Sequence, residues 1–177
     1  MKRATMLCSR GLVLGLVTTL PVADAKAVEQ RDLGQFGSWN AYSYQEGGST
    51  VCFTLSRPVK ADAAGRSRGE VLAYITHRPA ENSLSIPHFV AGYTYKKGSG
   101  AKVTVDGKRN FDLFTEGDTA WARDDRSDKE LLKAIRGGKT LVLKGTSGRG
   151  TSTSDTFSLG GIGKALAAID KACNVKR

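Results

Sequence analysis

Histidine occurs only twice in this chain, at His77 and His88, and cysteine only three times. Any histidine-based catalysis or metal site must therefore use one of two rings. There is no Cys-x-x-Cys pair, so a thiol–disulfide exchange motif is missing. There is also no Gly-x-Ser-x-Gly elbow of the kind that exposes a nucleophilic serine. A Ser, His, Asp arrangement can be assembled on paper from the many serines, but every secreted domain has such residues to spare. Zinc held by both histidines and two cysteines would need reduced thiols, and the spacing matches no zinc pattern. The residues thus point to no metal and no cofactor, and a hydrolase of unrecognised type stands only as the alternative. Long apolar stretches are lacking too. The run from Gly11 to Leu20 is ten residues, too short to cross a bilayer.

What the N-terminus does contain is a basic flank (Lys2, Arg3, Arg10), that short apolar run, and Pro21-Val-Ala23-Asp-Ala25. Together these describe a secretory signal peptide over residues 1–25, with Ala25-Lys-Ala27 as a second cleavage option. Cys8 precedes the apolar run and leaves with the peptide. The remaining chain, a polar lead-in over 26–34 and one domain over 35–177, is long enough for a single core. It has no transmembrane segment.

Cys52 and Cys173 are the cysteines that survive processing, and an exported protein with two cysteines usually joins them. The formal charge of the whole chain is +10. That balance can attract anionic lipid, acidic polysaccharide or nucleic acid. Export and the absence of basic runs interleaved with aromatics argue against nucleic acid.

The pattern along the chain is mostly β. Trp39 to Tyr44 and Thr50 to Ser56 read as a hairpin around Gln45-Glu-Gly-Gly-Ser49, with Cys52 in the return strand. Val71 to His77 has apolar residues on both faces and reads as a central strand. His88 to Tyr95 is a further strand. Lys102 to Val105 and Asn110 to Phe114 flank Asp106-Gly107, a pair suited to a type I′ turn. Ser127-Asp-Lys-Glu130 is a capping box opening a helix that Gly137 stops. Lys139 to Lys144 is followed by a second strand in which Thr151, Thr153, Asp155, Phe157 and Leu159 share one face. Ile162, Leu166, Ile169 and Cys173 then form one helical stripe, which turns the cysteine to the core. Short strands, regular turns and two brief helices predict an all-β, antiparallel β-sandwich of immunoglobulin-like size, its C-terminal helix pinned by the disulfide. A closed barrel is the other architecture this pattern permits.

Two groups of residues carry functional expectations. The connection from Arg57 to Glu70 reads as a mobile basic loop, with Lys60, Arg66 and Arg68 available to an anionic partner. Asp155 lies beside the apolar edge of its strand, where an unpaired carboxylate is costly. Arg78 or Arg149 is its expected partner in a structural ion pair. Gly145-Thr-Ser-Gly-Arg-Gly150 resembles a phosphate-cradling loop in composition. It lacks the Lys-Ser/Thr ending and precedes a strand, so it reads as a turn.

Eight strings, in order, carry a family likeness: Phe36-Gly-Ser-Trp39, Val51-Cys-Phe53, Thr76-His-Arg-Pro79, Gly117-Asp-Thr-Ala-Trp121, Lys144-Gly-Thr-Ser147, Arg149-Gly-Thr151, Asp155-Thr-Phe-Ser-Leu159 and Ala168-Ile-Asp-Lys-Ala-Cys173. With them the chain resembles the invasion-associated locus B family of Gram-negative bacteria. The resemblance implies an exported β-sandwich in the periplasm, secreted or surface-associated, named for host-cell invasion and linked to virulence. It brings no established reaction. The expected role is non-enzymatic binding or support of an envelope or host macromolecule.

Overall fold

The computed structural model describes residues 29–176. The leader expected over residues 1–25 lies outside them. Among the described residues, eleven strands form one continuous antiparallel ladder, folded into two layers. In the first layer are β1 (Arg31–Phe36), β2 (Trp39–Glu46), β3 (Ser49–Ser56), β5 (Leu72–Arg78), β6 (Ser83–Val90) and β9 (Thr119–Trp121), paired in that order. The second contains β7 (Ala101–Val105), β10 (Thr140–Thr146), β11 (Ser152–Ser158) and β4 (Lys60–Asp62).

The strand β8 (Arg109–Glu116) joins the layers. Residues 109–113 pair with β7 and residues 114–116 with β9. The ladder ends at β1 and β4, which do not pair with each other among the described residues, so the sandwich is open and not a closed barrel.

The core lies between the layers. Ala41, Ile75, Phe89, Val103, Leu113, Leu141 and Phe157 are all essentially inaccessible. The helix α2 (Ile162–Ala172) packs against β1, β2 and β3 and buries Ile162, Leu166 and Ile169, the stripe predicted from their spacing. Its start is set by a backbone contact. Gly161 has φ of +97°, and a Cβ there would stand 1.8 Å from the Phe36 carbonyl oxygen. Ser38 N–H donates to Gly160 O (3.1 Å), and the Trp39 indole donates to Ser158 O (3.1 Å). The β1–β2 turn, the end of β11 and the entry to α2 are thereby one joint. At the other end of α2, Cys173 is bonded to Cys52 of β3.

Several boundaries differ from expectation. The lead-in is partly a strand, because Arg31–Phe36 borrows its order from β2, its own sequence carrying little apolar signal. The Arg57 to Glu70 connection is not all loop: Lys60 belongs to the edge strand β4, which pairs with β11. The polar stretch before Pro87 is the first half of β6. Pro87 is tolerated there because β9 pairs only with His88 to Val90, leaving no ladder on that side of the proline. Beyond Val90 the chain is irregular up to Tyr95, which makes only an isolated bridge to Ser147.

The helix α1 (Asp125–Gly137) is capped by Asp124, whose side chain accepts from Ser127 N–H (2.7 Å), one turn earlier than the Ser127 capping box predicts. The β7–β8 turn is as expected, with positive φ at Asp106 and Gly107. Asp106 Oδ1 also accepts from the Lys139 and Thr140 amides (both 2.9 Å), which fixes the start of β10 and holds its carboxyl below the ordinary range.

Candidate functional site

The polar residues singled out from the sequence divide between two places. At one end of the second layer, the 63–68 segment, Tyr93, Thr94 and the 147–153 turn enclose a cavity of about 310 Å³. The Arg57–Glu70 ion pair (2.7 Å) closes the base of the first segment, and Gly69 N–H donates to Gly92 O (2.9 Å). The 147–151 turn is held from the other side. Ser147 N–H donates to Thr151 O (2.9 Å), Gly148 N–H to Thr94 O (2.8 Å), and Gly150 N–H to Ser147 O (2.8 Å). These amides are spent on the fold. The turn is therefore no phosphate cradle, and what faces the cavity are the side chains of Arg66, Arg68 and Arg149.

These arginines are not equivalent. Arg68 forms a two-armed pair with Asp155, Nη1 to Oδ2 at 2.9 Å and Nη2 to Oδ1, and Nη1 also donates to Ala91 O (3.1 Å). Its side chain is 9% exposed and that of Asp155 is fully buried. Neither Arg78 nor Arg149, one of which was expected from the sequence, is the partner of Asp155. Arg78 ends β5 on the outer face of the first layer, where it binds Glu46 and Glu81. Arg149 sits at the tip of its turn, exposed. The partner comes instead from the connection read as mobile, because β4 crosses to the edge of the second layer and carries the following residues over β11.

Arg68 thus forms the floor of the cavity, with the Tyr93 ring 5.8 Å from its guanidinium carbon. The Tyr93 hydroxyl hydrogen-bonds Thr153 Oγ1 (2.6 Å), and burial holds the phenol above its ordinary pKa, so it stays protonated. Arg66 and Arg149 remain exposed at the rim, and Lys60 lies outside the lining.

His77 answers the question of a histidine-centred site. Its ring is buried beside the Cys52–Cys173 bond, since His77 is opposite Cys52 in the β3–β5 ladder. Nδ1 accepts from the Ser85 amide (2.9 Å), which places the ring proton on Nε2, and this donates to Asp170 of α2 (2.9 Å). A serine, a histidine and an aspartate do meet here. The Ser85 main-chain N–H donates to the ring, and the imidazole has no exposed face. This grouping ties α2 to β5. No group of three or more His, Cys, Asp and Glu that could hold a metal occurs among the described residues.

The outer face of the first layer carries a feature that the sequence reading passed over. Tyr74, His88 and Trp121, opposite one another on β5, β6 and β9, form a stack with centroids 4.8 and 4.4 Å apart. Phe53 lies 5.9 Å from Tyr74, and Tyr42 and Tyr44 continue the row. Strand parity is the signal that could have found it: each of these residues alternates with a core residue. Of the two tryptophans only Trp39 is in the core.

These features define a class: an antiparallel sandwich with its C-terminal helix locked to the sheet by a disulfide, presenting an arginine-rimmed cavity and an aromatic outer face. Residues 39–170 match the family model described as Invasion associated locus B (IalB) protein, and the chain belongs to that family. The crystal structure of invasion associated protein B from Bartonella henselae is similar in fold, with a TM-score of 0.57 at 17% identity, covering 80% of this chain and 96% of that one. No curated protein matches the chain.

Proposed function

We propose that this is an exported envelope protein with a binding role and no catalytic one, and that the cavity between the 63–68 segment and the 147–151 turn receives an anionic group of an envelope or host macromolecule. The observation that carries this reading is the placement of Arg66 and Arg149. They come from two separate connections, line one cavity, and enter into no ion pair among the described residues, while the charge of Arg68 beneath them is matched by Asp155. A volume of about 310 Å³ is at the lower end of the range for specific ligand sites. Export is supported by the N-terminal leader pattern and by the buried disulfide, a bond that persists in oxidising compartments. The family name supports a role at the host surface. The non-catalytic reading is supported by the burial of His77, whose ring is enclosed in the core.

The test is fluorescence anisotropy with a labelled sulfated oligosaccharide as the polyanion probe. Binding should weaken as salt is raised, since exposed charges act over about 8 Å at physiological ionic strength. It should fall again in Arg66→Ser/Arg149→Ser, with the urea midpoint unchanged. Equal affinity of the double variant at every salt concentration would remove the cavity from the proposal. Turnover of a peptide, ester or glycan substrate by the purified chain would overturn the non-catalytic reading.

A further inference from the structure

The outer face of the first layer holds a second, wider depression, about 600 Å³, remote in kind from the arginine cavity. Its shape follows from strand register. Thr76 of β5 is opposite Ile86 of β6 and next to Phe53 of β3, so a small side chain stands in the middle of larger ones. Two residues along the same strands, Tyr74, His88 and Trp121 form the stacked wall. Arg78 closes the opposite side, donating to Glu46, Glu81 and the Tyr44 hydroxyl (3.2 Å). Each wall residue is therefore fixed by a neighbour before any ligand arrives, which limits the ordering cost of binding.

Charge and backbone narrow the occupant. The whole chain is strongly basic, yet this depression has no unmatched cation: Arg78 is met by two carboxylates. His88 is neutral at physiological pH, because burial lowers its pKa to about 4. A polyanion gains nothing here. An extended peptide that adds to a sheet needs free backbone donors and acceptors, and β3 and β5, which form the floor, are each paired on both sides. A pyranose ring meets the remaining requirements. Its C–H face packs against aromatic and methyl surface, and its hydroxyls exchange hydrogen bonds with a hydroxyl, a guanidinium and a carboxylate.

We propose that the depression over Thr76, walled by Tyr74, Trp121 and Arg78, is a glycan-binding site that takes a neutral hexopyranose unit of an oligosaccharide. The site reports on itself, since Trp121 is in its wall and the other tryptophan, Trp39, is buried in the core. Cellotetraose, maltotetraose and chitotetraose are titrated against the mature protein, following tryptophan fluorescence and amide shifts. At least one should saturate, with little dependence on salt. Tyr74→Ala should weaken that binding about threefold to tenfold, the scale of one lost aromatic contact. Thr76→Trp fills the floor without removing the stack and should abolish binding even if Tyr74→Ala proves unstable. Arg66→Ser/Arg149→Ser should leave it unchanged, which separates this site from the arginine cavity. The proposal is overturned if none of the three sugars perturbs Trp121 at about 10 mM, if a bound sugar is indifferent to Thr76→Trp, or if only a sulfated oligosaccharide binds here.

Discussion

Arg68 and Asp155, 87 residues apart, form a two-armed ion pair in which the carboxylate is fully buried and the arginine nearly so. A pair of this kind is expensive to break on one side, because the remaining charge is left in a medium that solvates it poorly. Arg68→Met and Asp155→Leu should each cost about 3–5 kcal/mol, whereas the double replacement should recover most of that loss. Urea denaturation of the four proteins gives the cycle. Additive losses would mean that the two side chains stabilise the fold independently.

The disulfide should be worth about 2–5 kcal/mol, the usual cost of deleting one from a small secreted domain. Cys52→Ser/Cys173→Ser should nevertheless fold, since α2 is also held by the Gly161 joint and by the His77–Asp170 contact. Hydrogen exchange should show α2 losing protection before β3 or β5 does. Thiol titration of residues 29–177, denatured and unreduced, should find no free thiol.

Acid should weaken the protein through His88. The folded-state pKa of about 4 lies below the unfolded value, mainly because burial disfavours the charged ring. The unfolded chain therefore takes up a proton first as pH falls, and stability declines between the unfolded and folded pKa values. From near pH 7 to pH 5 this group should account for about 2 kcal/mol. His88→Phe, which keeps a ring in the stack, should show a correspondingly flatter dependence of the urea midpoint over that interval.

Gly161→Ala should be among the most damaging single changes. Left-handed backbone alone costs a non-glycine residue about 1–2 kcal/mol, and at Gly161 the new methyl would also collide with the Phe36 carbonyl. Gly47→Ala is the control: its φ is also positive, at +56°, but nothing lies within 4 Å of the added carbon. The difference in their urea midpoints measures the joint between the β1–β2 turn and α2. Equal losses would show that the joint yields.

How far the sequence could be read depended on the range of the interaction concerned. Thr153, Asp155, Phe157 and Leu159 are buried and alternate with half-exposed Ser154, Thr156 and Ser158, because strand parity is local. The stripe from Ile162 to Cys173 was legible for the same reason. So was the need of Asp155 for a cation. Its identity was not, since Arg78 and Arg149 were nearer to strand ends while Arg68 reaches Asp155 only through the crossing of β4, three exposed residues with no apolar signature. Of the arginine cavity, Arg66 and Arg149 were each visible, in different connections and for different reasons, and their segments meet through long-range contacts: β4 on β11, Arg68 on Asp155, and Thr94 and Tyr95 against the 147–148 turn. The aromatic row was missed because each of its members is unremarkable alone; it exists only in cross-strand register.

The clasp between Cys52 and Cys173 also imposes a schedule on synthesis. With a sequence separation of 121 between them, the first sulfur is made about 6–24 s before its partner at ordinary elongation rates. Throughout that interval the strand carrying Cys52 is a bare thiol in a nascent chain whose final helix does not yet exist. An oxidant that acts too early cannot form this bond, so correct pairing of Cys52 depends on waiting for the last residues of the chain.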